Sequence, residues 1–158
     1  MTALSLCLTA FIGVAAPQGP AAEKAASPSG PWIGTWKRVA STARGTLDPA
    51  VFTMWLEGDG FRYTYESTPA SGPAVRMEAF GRFDGQPWPE KGNPMADHNV
   101  FTRVDDRTYA LVDLKDGKET IRFTIRISPD GKTRTSESRR RDAQGKEIVT
   151  TTTWERLK

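Results

Sequence analysis

The chain has 158 residues, of which 37% are hydrophobic and 9% aromatic, enough for one globular domain with its own core. Its 22 basic and 19 acidic residues give a net charge of +3 and are mixed along the sequence, which argues against a concentrated basic face for nucleic acid. A single cysteine, Cys7, excludes an internal disulfide and a metal site built from several cysteines.

The N-terminal segment is expected to direct export. Residues 4–16 are uncharged and mostly apolar, which suits the core of a signal peptide and is too short to span a bilayer. No Lys or Arg precedes them, so a disordered apolar tail is the alternative. We therefore predict a leader over residues 1–16 and a flexible linker over 17–31, rich in Ala, Pro and Ser. The expected location is periplasmic or secreted, with no membrane insertion after leader removal and no thiol left in the mature protein.

From Trp32 onward the sequence predicts strands joined by short turns, and no helix. Apolar Ile121, Phe123, Ile125 and Ile127 alternate with polar residues, the period of two that places one face of a strand against a core. Asp-Gly pairs at 59–60, 84–85, 116–117 and 130–131 predict tight hairpin turns. The predicted strands cover residues 33–39, 50–57, 61–68, 74–83, 98–104, 108–114, 119–128, 132–141 and 146–156.

This order of elements favours a barrel. Strands that follow one another by hairpins leave two exposed edges unless the first and last strands pair, and closure removes both edges. We therefore predict an all-β domain over residues 32–158, a single up-and-down antiparallel β-barrel of about eight to ten strands. A barrel of that size can enclose one small ligand.

Two late strands lack an ordinary apolar face. The segment Thr133–Arg141 is polar in both alternating positions, and Thr150–Thr153 is a run of four threonines. One interpretation is a partly hydrated cavity along this wall. The other is a thin barrel edge covered by long arginine stems, with the dense run Arg139-Arg140-Arg141 as a solvated strand end.

Both ends of the domain carry a family resemblance. The opening Trp32-Ile33-Gly34-Thr35-Trp36-Lys37 and the closing Thr153-Trp154-Glu155-Arg156 resemble the first and last strands of the calycin superfamily, which includes lipocalins and fatty-acid-binding proteins. The segment Phe83–Asp97 also resembles a loop of bacterial secreted lipocalin-like domains. The resemblance implies a lipocalin-like barrel closed at one end by Trp36 packed beneath Arg156.

The chain also departs from that family. Residues 40–49 leave no room for the helical lid of fatty-acid-binding proteins. Their carboxylate-binding Arg-x-Tyr pair would fall on Thr152 and Trp154, so the resemblance does not extend to a fatty-acid head group.

The predicted binding site is the barrel interior, and the expected partner is a small amphipathic molecule without any cofactor. Aromatic side chains offer apolar area and, in Tyr and Trp, a hydrogen-bonding group, which suits such a ligand. Each candidate is also compatible with an ordinary core position. The candidates are Trp55, Tyr63, Tyr65, Met77, Phe123 and Ile125 for the wall, Thr152 beside them, and Arg139 for an anionic group.

Evidence for catalysis is sparse. The sole histidine, His98, excludes a site of several histidines, although one histidine suffices for haem in some lipocalin-like barrels. Carboxylates around the proline-rich loop 86–97 are candidates for acid–base or metal chemistry, but we expect Glu90, next to Lys91, to be solvated. No catalytic residue and no metal ligand is assigned.

Three functions therefore remain open. The favoured one is an exported protein that binds a small molecule in the barrel. The second is an enzyme in the same cavity, such as an isomerase, cyclase or hydrolase. The third is an envelope interaction module acting through an outer apolar patch around Trp88 and Pro89.

Overall fold

The computed structural model describes residues 28–43 and 47–157. The predicted leader over 1–16 and most of the predicted linker lie outside the described residues. Within the described part, regular structure consists of strands only. It therefore contains no helix that is long and apolar enough to cross a membrane.

Ten antiparallel strands form one closed barrel, in which each strand pairs with its neighbours in sequence and the first pairs with the last. The predicted all-β, up-and-down barrel is thus confirmed. The strands are β1 Gly34–Ser41, β2 Ala50–Glu57, β3 Gly60–Ser67, β4 Val75–Gly81, β5 Pro87–Lys91, β6 His98–Arg103, β7 Thr108–Lys115, β8 Lys118–Ile127, β9 Thr133–Arg141 and β10 Glu147–Arg156.

Strand β5 corrects the prediction of a loop over residues 86–97. Pro87 and Pro89 led to the prediction of a loop, because proline has no N–H to donate to a neighbouring strand. The backbone N–H of Glu90 donates to Asp97 O on the β6 side, so the alternating pattern turns both proline nitrogens towards β4. Pairing between β4 and β5 is confined to Glu78–Lys91 and Ala79–Glu90. The two prolines therefore remove few hydrogen bonds from the sheet.

One predicted turn is shifted by a residue. The hairpin between β2 and β3 turns at Gly58 and Asp59, with Gly58 at a φ of 58°, and Gly60 already begins β3. The turn at Asp116-Gly117 lies where it was predicted. Both of its residues have positive φ, 51° and 73°, as a two-residue type I′ turn requires.

Aromatic side chains fill the end of the barrel where β1 begins and β10 ends, here called the closed end. Trp32 and Phe61 are fully buried and lie 5.0 Å and 4.8 Å from the Phe83 ring, centroid to centroid. Over Trp36, the Arg156 Cζ lies 4.0 Å from the ring centroid. Trp32 meets Phe83 edge to face, and aromatic packing of this kind adds to the apolar area that is buried, so the closed end is a well-packed aromatic plug.

The opposite end, here called the loop end, carries the connection between β5 and β6. Trp36 pairs with Arg156 near the closed end, and Ser41 pairs with Thr152 towards the loop end. Residues 92–97 join β5 to β6 at the loop end. The space between this loop and the aromatic plug holds the candidate site.

Candidate functional site

A cavity of about 310 Å³ lies inside the barrel. Pro94 and Met95 line it and are themselves exposed, so the cavity reaches the surface beside loop 92–97. The volume is at the lower end of the range of about 300–1,000 Å³ typical of small-molecule pockets. Most of the wall is apolar, from Phe52, Tyr65, Met77, Leu111, Phe123 and Ile125.

Five polar side chains form a network near the loop end, here called the acid cluster: Tyr63 on β3, Glu90 on β5, Asn93 in loop 92–97, Asn99 on β6 and Asp113 on β7. All but Asn99 line the cavity, and Asn99 lies fully buried behind them. Since the cluster joins four strands and the loop that borders the cavity entrance, its geometry depends on the closed barrel.

Two asparagines bridge the two carboxyl groups. Asn99 Nδ2 donates to Glu90 Oε2 at 3.1 Å and to Asp113 Oδ1 at 3.0 Å. Asn93 Nδ2 donates to Glu90 Oε2 at 2.9 Å and to Asp113 Oδ2 at 3.4 Å. Each amide therefore uses both of its N–H groups on the carboxyl pair.

The Tyr63 hydroxyl lies within hydrogen-bond distance of two oxygen atoms. Its hydroxyl oxygen lies 2.5 Å from Glu90 Oε1 and 2.8 Å from Asn99 Oδ1. A phenol has one proton to donate, and Asn99 Oδ1 can only accept. If Tyr63 donates to Asn99, the short contact to Glu90 is a hydrogen bond only when Glu90 is protonated and donates to the phenol oxygen.

Burial favours the neutral forms of these groups. Asp113 is 4% exposed, and burial together with the nearby Glu90 raises its pKa to about 7. Burial also raises the pKa of Glu90, against the opposing effect of its hydrogen bonds from Tyr63 and the two asparagines. The pKa of Tyr63 lies well above its ordinary value, because of burial and then of Glu90. Asp113 is thus partly protonated near neutral pH, and its titration is coupled to that of Glu90.

A second polar area, the Arg134 patch, consists of Arg134, Ser136, Thr152 and Trp154 on β9 and β10. Arg134 is 5% exposed and stacks over Phe52, with Cζ 4.3 Å from the ring centroid. One Nη donates to the Tyr109 hydroxyl at 3.3 Å. Among the described residues, Arg134 Nε and Trp154 Nε1 are buried without a hydrogen-bond partner.

No carboxylate compensates the Arg134 charge at ion-pair distance in the described part of the chain. The other arginine on the cavity wall differs, because Arg38 Nε donates to Asp48 O at 2.9 Å. The Arg134 patch therefore places on the cavity wall a buried cation that has no carboxylate partner among the described residues.

The structure brings most of the predicted ligand-binding residues together. Trp55 and Arg139 do not line the cavity: Trp55 is 36% exposed, and Arg139 forms ion pairs with Glu137 and Glu147. The lining residues among those predicted are Tyr63, Tyr65, Met77, Phe123, Ile125 and Thr152.

The expectation that Glu90 is solvated is wrong. Glu90 is 8% exposed, because β5 turns its side chain into the barrel. His98 stays outside the cavity lining, and its Nδ1 lies 2.8 Å from Asp97 Oδ1. Within the described ranges no group of three or more His, Cys, Asp or Glu side chains could hold a metal ion.

Sequence reasoning missed Asp113 and Arg134, for different reasons. Asp113 lies on the same face of β7 as the inward-facing Tyr109 and Leu111, because the three residues are spaced two apart. The alternation of β7 could therefore have identified Asp113 as an inward-facing residue. Arg134 lies on β9, where the residues on both faces of the strand are polar. Alternation therefore could not show that the Arg134 side chain points inward. The roles of Asn93 and Asn99 could not be predicted, because they depend on Glu90, and the strand that carries Glu90, β5, was not recognised.

Comparisons with known proteins do not assign a family. No protein-family model matches the chain, and no curated protein sequence matches it significantly. What the fold and the site define is a closed ten-stranded antiparallel barrel with a mostly apolar interior cavity that carries two polar areas.

Proposed function

We propose that this protein is a lipocalin-like binding protein, exported from the cytoplasm, which holds a small amphipathic molecule in its barrel. The apolar body of the ligand lies against Phe52, Tyr65 and Phe123, and an oxygen acceptor, preferably anionic, points to the Arg134 patch. The observation that carries the proposal is a buried arginine, Arg134, which lies on the wall of a mostly apolar cavity and has no carboxylate partner among the described residues.

The electrostatics of Arg134 support an anionic group. A buried cation without a counter-charge is costly, and a partner with good hydrogen-bond geometry recovers part of that cost. A guanidinium presents a planar set of N–H donors that matches a carboxylate well. Ligand binding would give Arg134 the counter-charge that it lacks among the described residues.

The apolar wall supplies the second part of the affinity. Removal of apolar ligand surface from water contributes about 25 cal/mol per Å², before the cost of ordering the ligand is subtracted. Since the cavity is small, a ligand of modest size already fills it. Selectivity then comes from the polar groups, which penalise a ligand that leaves them unpaired.

A calycin relationship is part of the proposal. Its support is the up-and-down barrel together with Arg156 stacked on Trp36, where β1 and β10 meet. Export is likewise proposed from the apolar N-terminal segment.

Calorimetric titration with octanoate, a probe that combines an apolar chain with a carboxylate, tests the binding function. We expect saturable one-to-one binding by the full chain. Leu111→Trp, which puts an indole into the cavity from β7, is expected to abolish it. Failure of octanoate and its terminally substituted analogues to bind the folded protein would overturn the proposal.

A matched pair of variants tests the role of Arg134. Arg134→Met keeps an apolar stem over Phe52 but removes the charge and the donors, so the octanoate affinity should fall about tenfold or more. Arg126→Met, which removes an exposed arginine on the outside of β8, should leave the affinity unchanged. Equal affinities of the two variants would show that Arg134 does not bind the carboxylate.

A further inference from the structure

The acid cluster has no counter-charge of its own. Among the described residues, the side-chain partners of Glu90 and Asp113 are two neutral amides and one phenol. No Lys, Arg or His lies within ion-pair distance of either carboxyl group there. Two adjacent buried carboxyl groups of this kind stay partly protonated unless a cation joins them.

The carboxyl pair also keeps free acceptor capacity. A carboxylate offers about four lone-pair sites. Asp113 Oδ1 accepts one N–H and Oδ2 accepts one long contact, so each oxygen has a lone pair unused. Both carboxyl side chains line the cavity, which gives a ligand access to that capacity.

The two polar areas of the cavity differ in sign and position. Asp113 lies near the loop-end terminus of β7, whereas Arg134 is the second residue of β9, next to the closed end. Arg134 lines the same cavity, is buried and has no carboxylate partner among the described residues, which independently points to a ligand in this cavity. A molecule that satisfies both areas needs an acceptor deep in the barrel and a cationic donor near the entrance.

We propose that the Glu90–Asp113 pair is a binding subsite for a protonated amine, so that the ligand is an amphipathic molecule with an amine at one end and an acidic oxygen at the other. This proposal deepens the binding function proposed above and rests on it. An ammonium group brings up to three N–H donors, which match the unused lone pairs of the pair.

Binding of an ammonium group is then coupled to proton release. The ammonium favours the charged carboxylates, so the proton held by the pair passes to the buffer when the ligand binds. The groups that face the pair are Tyr63, Asn93 and Asn99, with Arg38 and Arg134 elsewhere on the cavity wall. Because the pKa of Asp113 is about 7, proton release is larger at pH 6 than at pH 8, and amine affinity rises over that interval.

Three probes of equal chain length separate this subsite from the binding function. They are octanoate, 8-hydroxyoctanoate and 8-aminooctanoate, titrated into the full-length protein at pH 8. We expect the amine to bind about tenfold or more tightly than the alcohol. In Asp113→Asn that preference should disappear, while octanoate affinity stays within about twofold. Glu155→Gln, which alters an exposed carboxylate on β10, should behave as wild type.

Each outcome decides the question. Tighter binding of the amine that depends on Asp113 supports the subsite. Binding of octanoate with no gain from the amine overturns the subsite and leaves the binding function standing. Absence of binding by all three probes overturns both. Should Asp113→Asn fold poorly, Glu90→Gln replaces it, with the same expected loss of amine preference.

Proton release gives a second measurement that a purely structural role would not affect. Titrations at pH 6 in buffers of different ionisation enthalpy should show protons leaving the wild-type protein with 8-aminooctanoate and fewer with 8-hydroxyoctanoate. Equal proton release for the two probes would contradict the proposal even if the amine binds more tightly.

Discussion

The hydroxyl oxygen of Tyr63 and Oε1 of Glu90 lie 2.5 Å apart inside the barrel, linking β3 to β5. These strands do not pair with each other, since β4 lies between them in the sheet. The contact therefore ties the acid cluster across the interior, and Asn99 behind Tyr63 holds the phenol in place at 2.8 Å.

Loss of the Tyr63 hydroxyl should be costly. In Tyr63→Phe, Glu90 and Asn99 each lose a buried partner, so we expect the free energy of unfolding to fall by about 1–3 kcal/mol. Tyr65→Phe is the matched control, because Tyr65 also lines the cavity but lies outside the cluster. Urea unfolding of both variants measures the difference, and an equal effect of the two would contradict the assigned role of Tyr63.

Asp113 should make stability depend on pH. Its pKa of about 7 exceeds the ordinary 3.8, so below pH 4 both folded and unfolded chains are protonated there. Between about pH 4 and pH 7 only the folded state keeps this proton, so stability is lost as the pH rises through that interval and levels off above about pH 7. Between pH 5 and pH 8 this loss is at most about 3 kcal/mol, since one pKa unit corresponds to about 1.4 kcal/mol.

Comparison with Asp113→Asn isolates that contribution. The variant keeps a neutral side chain of the same shape at every pH, so its unfolding free energy should change less between pH 5 and pH 8. Urea unfolding at both pH values provides the measurement. A wild-type protein that gains stability relative to the variant as the pH rises would show that Asp113 is charged and satisfied in the folded state.

Arg156 should contribute more to the free energy of unfolding than its charge alone suggests. Besides its position over Trp36, its guanidinium donates to Gly131 O at 2.6 Å, to Ile33 O at 2.7 Å and to Pro31 O. Arg156→Met is expected to lower the unfolding free energy by about 2–4 kcal/mol, as several charge-assisted hydrogen bonds are lost. Arg126→Met, on the exposed face of β8, should cost less than about 0.5 kcal/mol in the same thermal or urea unfolding measurement.

Gly92 fixes the start of the loop that carries Asn93. It has a φ of +78°, and a Cβ added there would lie 1.9 Å from Arg76 O. Gly92→Ala must therefore move the loop or β4, at a cost of about 2–4 kcal/mol. Gly117→Ala is the control, because Gly117 has a similar φ of +73° with no atom within 4 Å. Chemical denaturation should show the larger loss for Gly92→Ala, and equal losses would exclude the close backbone contact as the cause.

Most of the barrel could be predicted because alternation and turn residues are local properties of the sequence. The strand Lys118–Ile127 shows this well, since its apolar residues repeat every second position and a two-residue turn precedes it. Strand Pro87–Lys91 could not be predicted in the same way. Its prolines suppress the local signal, and the strand is recognised only from its pairing with the neighbouring strands β4 and β6.

The candidate site was harder to predict than the fold. Tyr65, Met77 and Phe123 follow from alternation, because apolar inward residues are what that pattern detects. Glu90 and Arg134 are buried ionisable groups, and alternation does not predict that a strand turns such a side chain inward. Arg139, the arginine that was predicted to bind an anionic group, lies on the opposite face of β9 from Arg134. It points outward and pairs with Glu137 and Glu147.

The joint between β1 and β10 has a consequence for synthesis. Every other strand pair joins neighbours in sequence, whereas Arg156 and Ile33 are bonded across 123 positions. A chain that leaves the ribosome in order can form its hairpins one by one, but β1 keeps an unpaired edge until the final strand has emerged. During that time its free N–H and C=O groups can pair with another nascent chain. The same contact that seals the finished molecule therefore sets the period in which the unfinished one is most prone to aggregate.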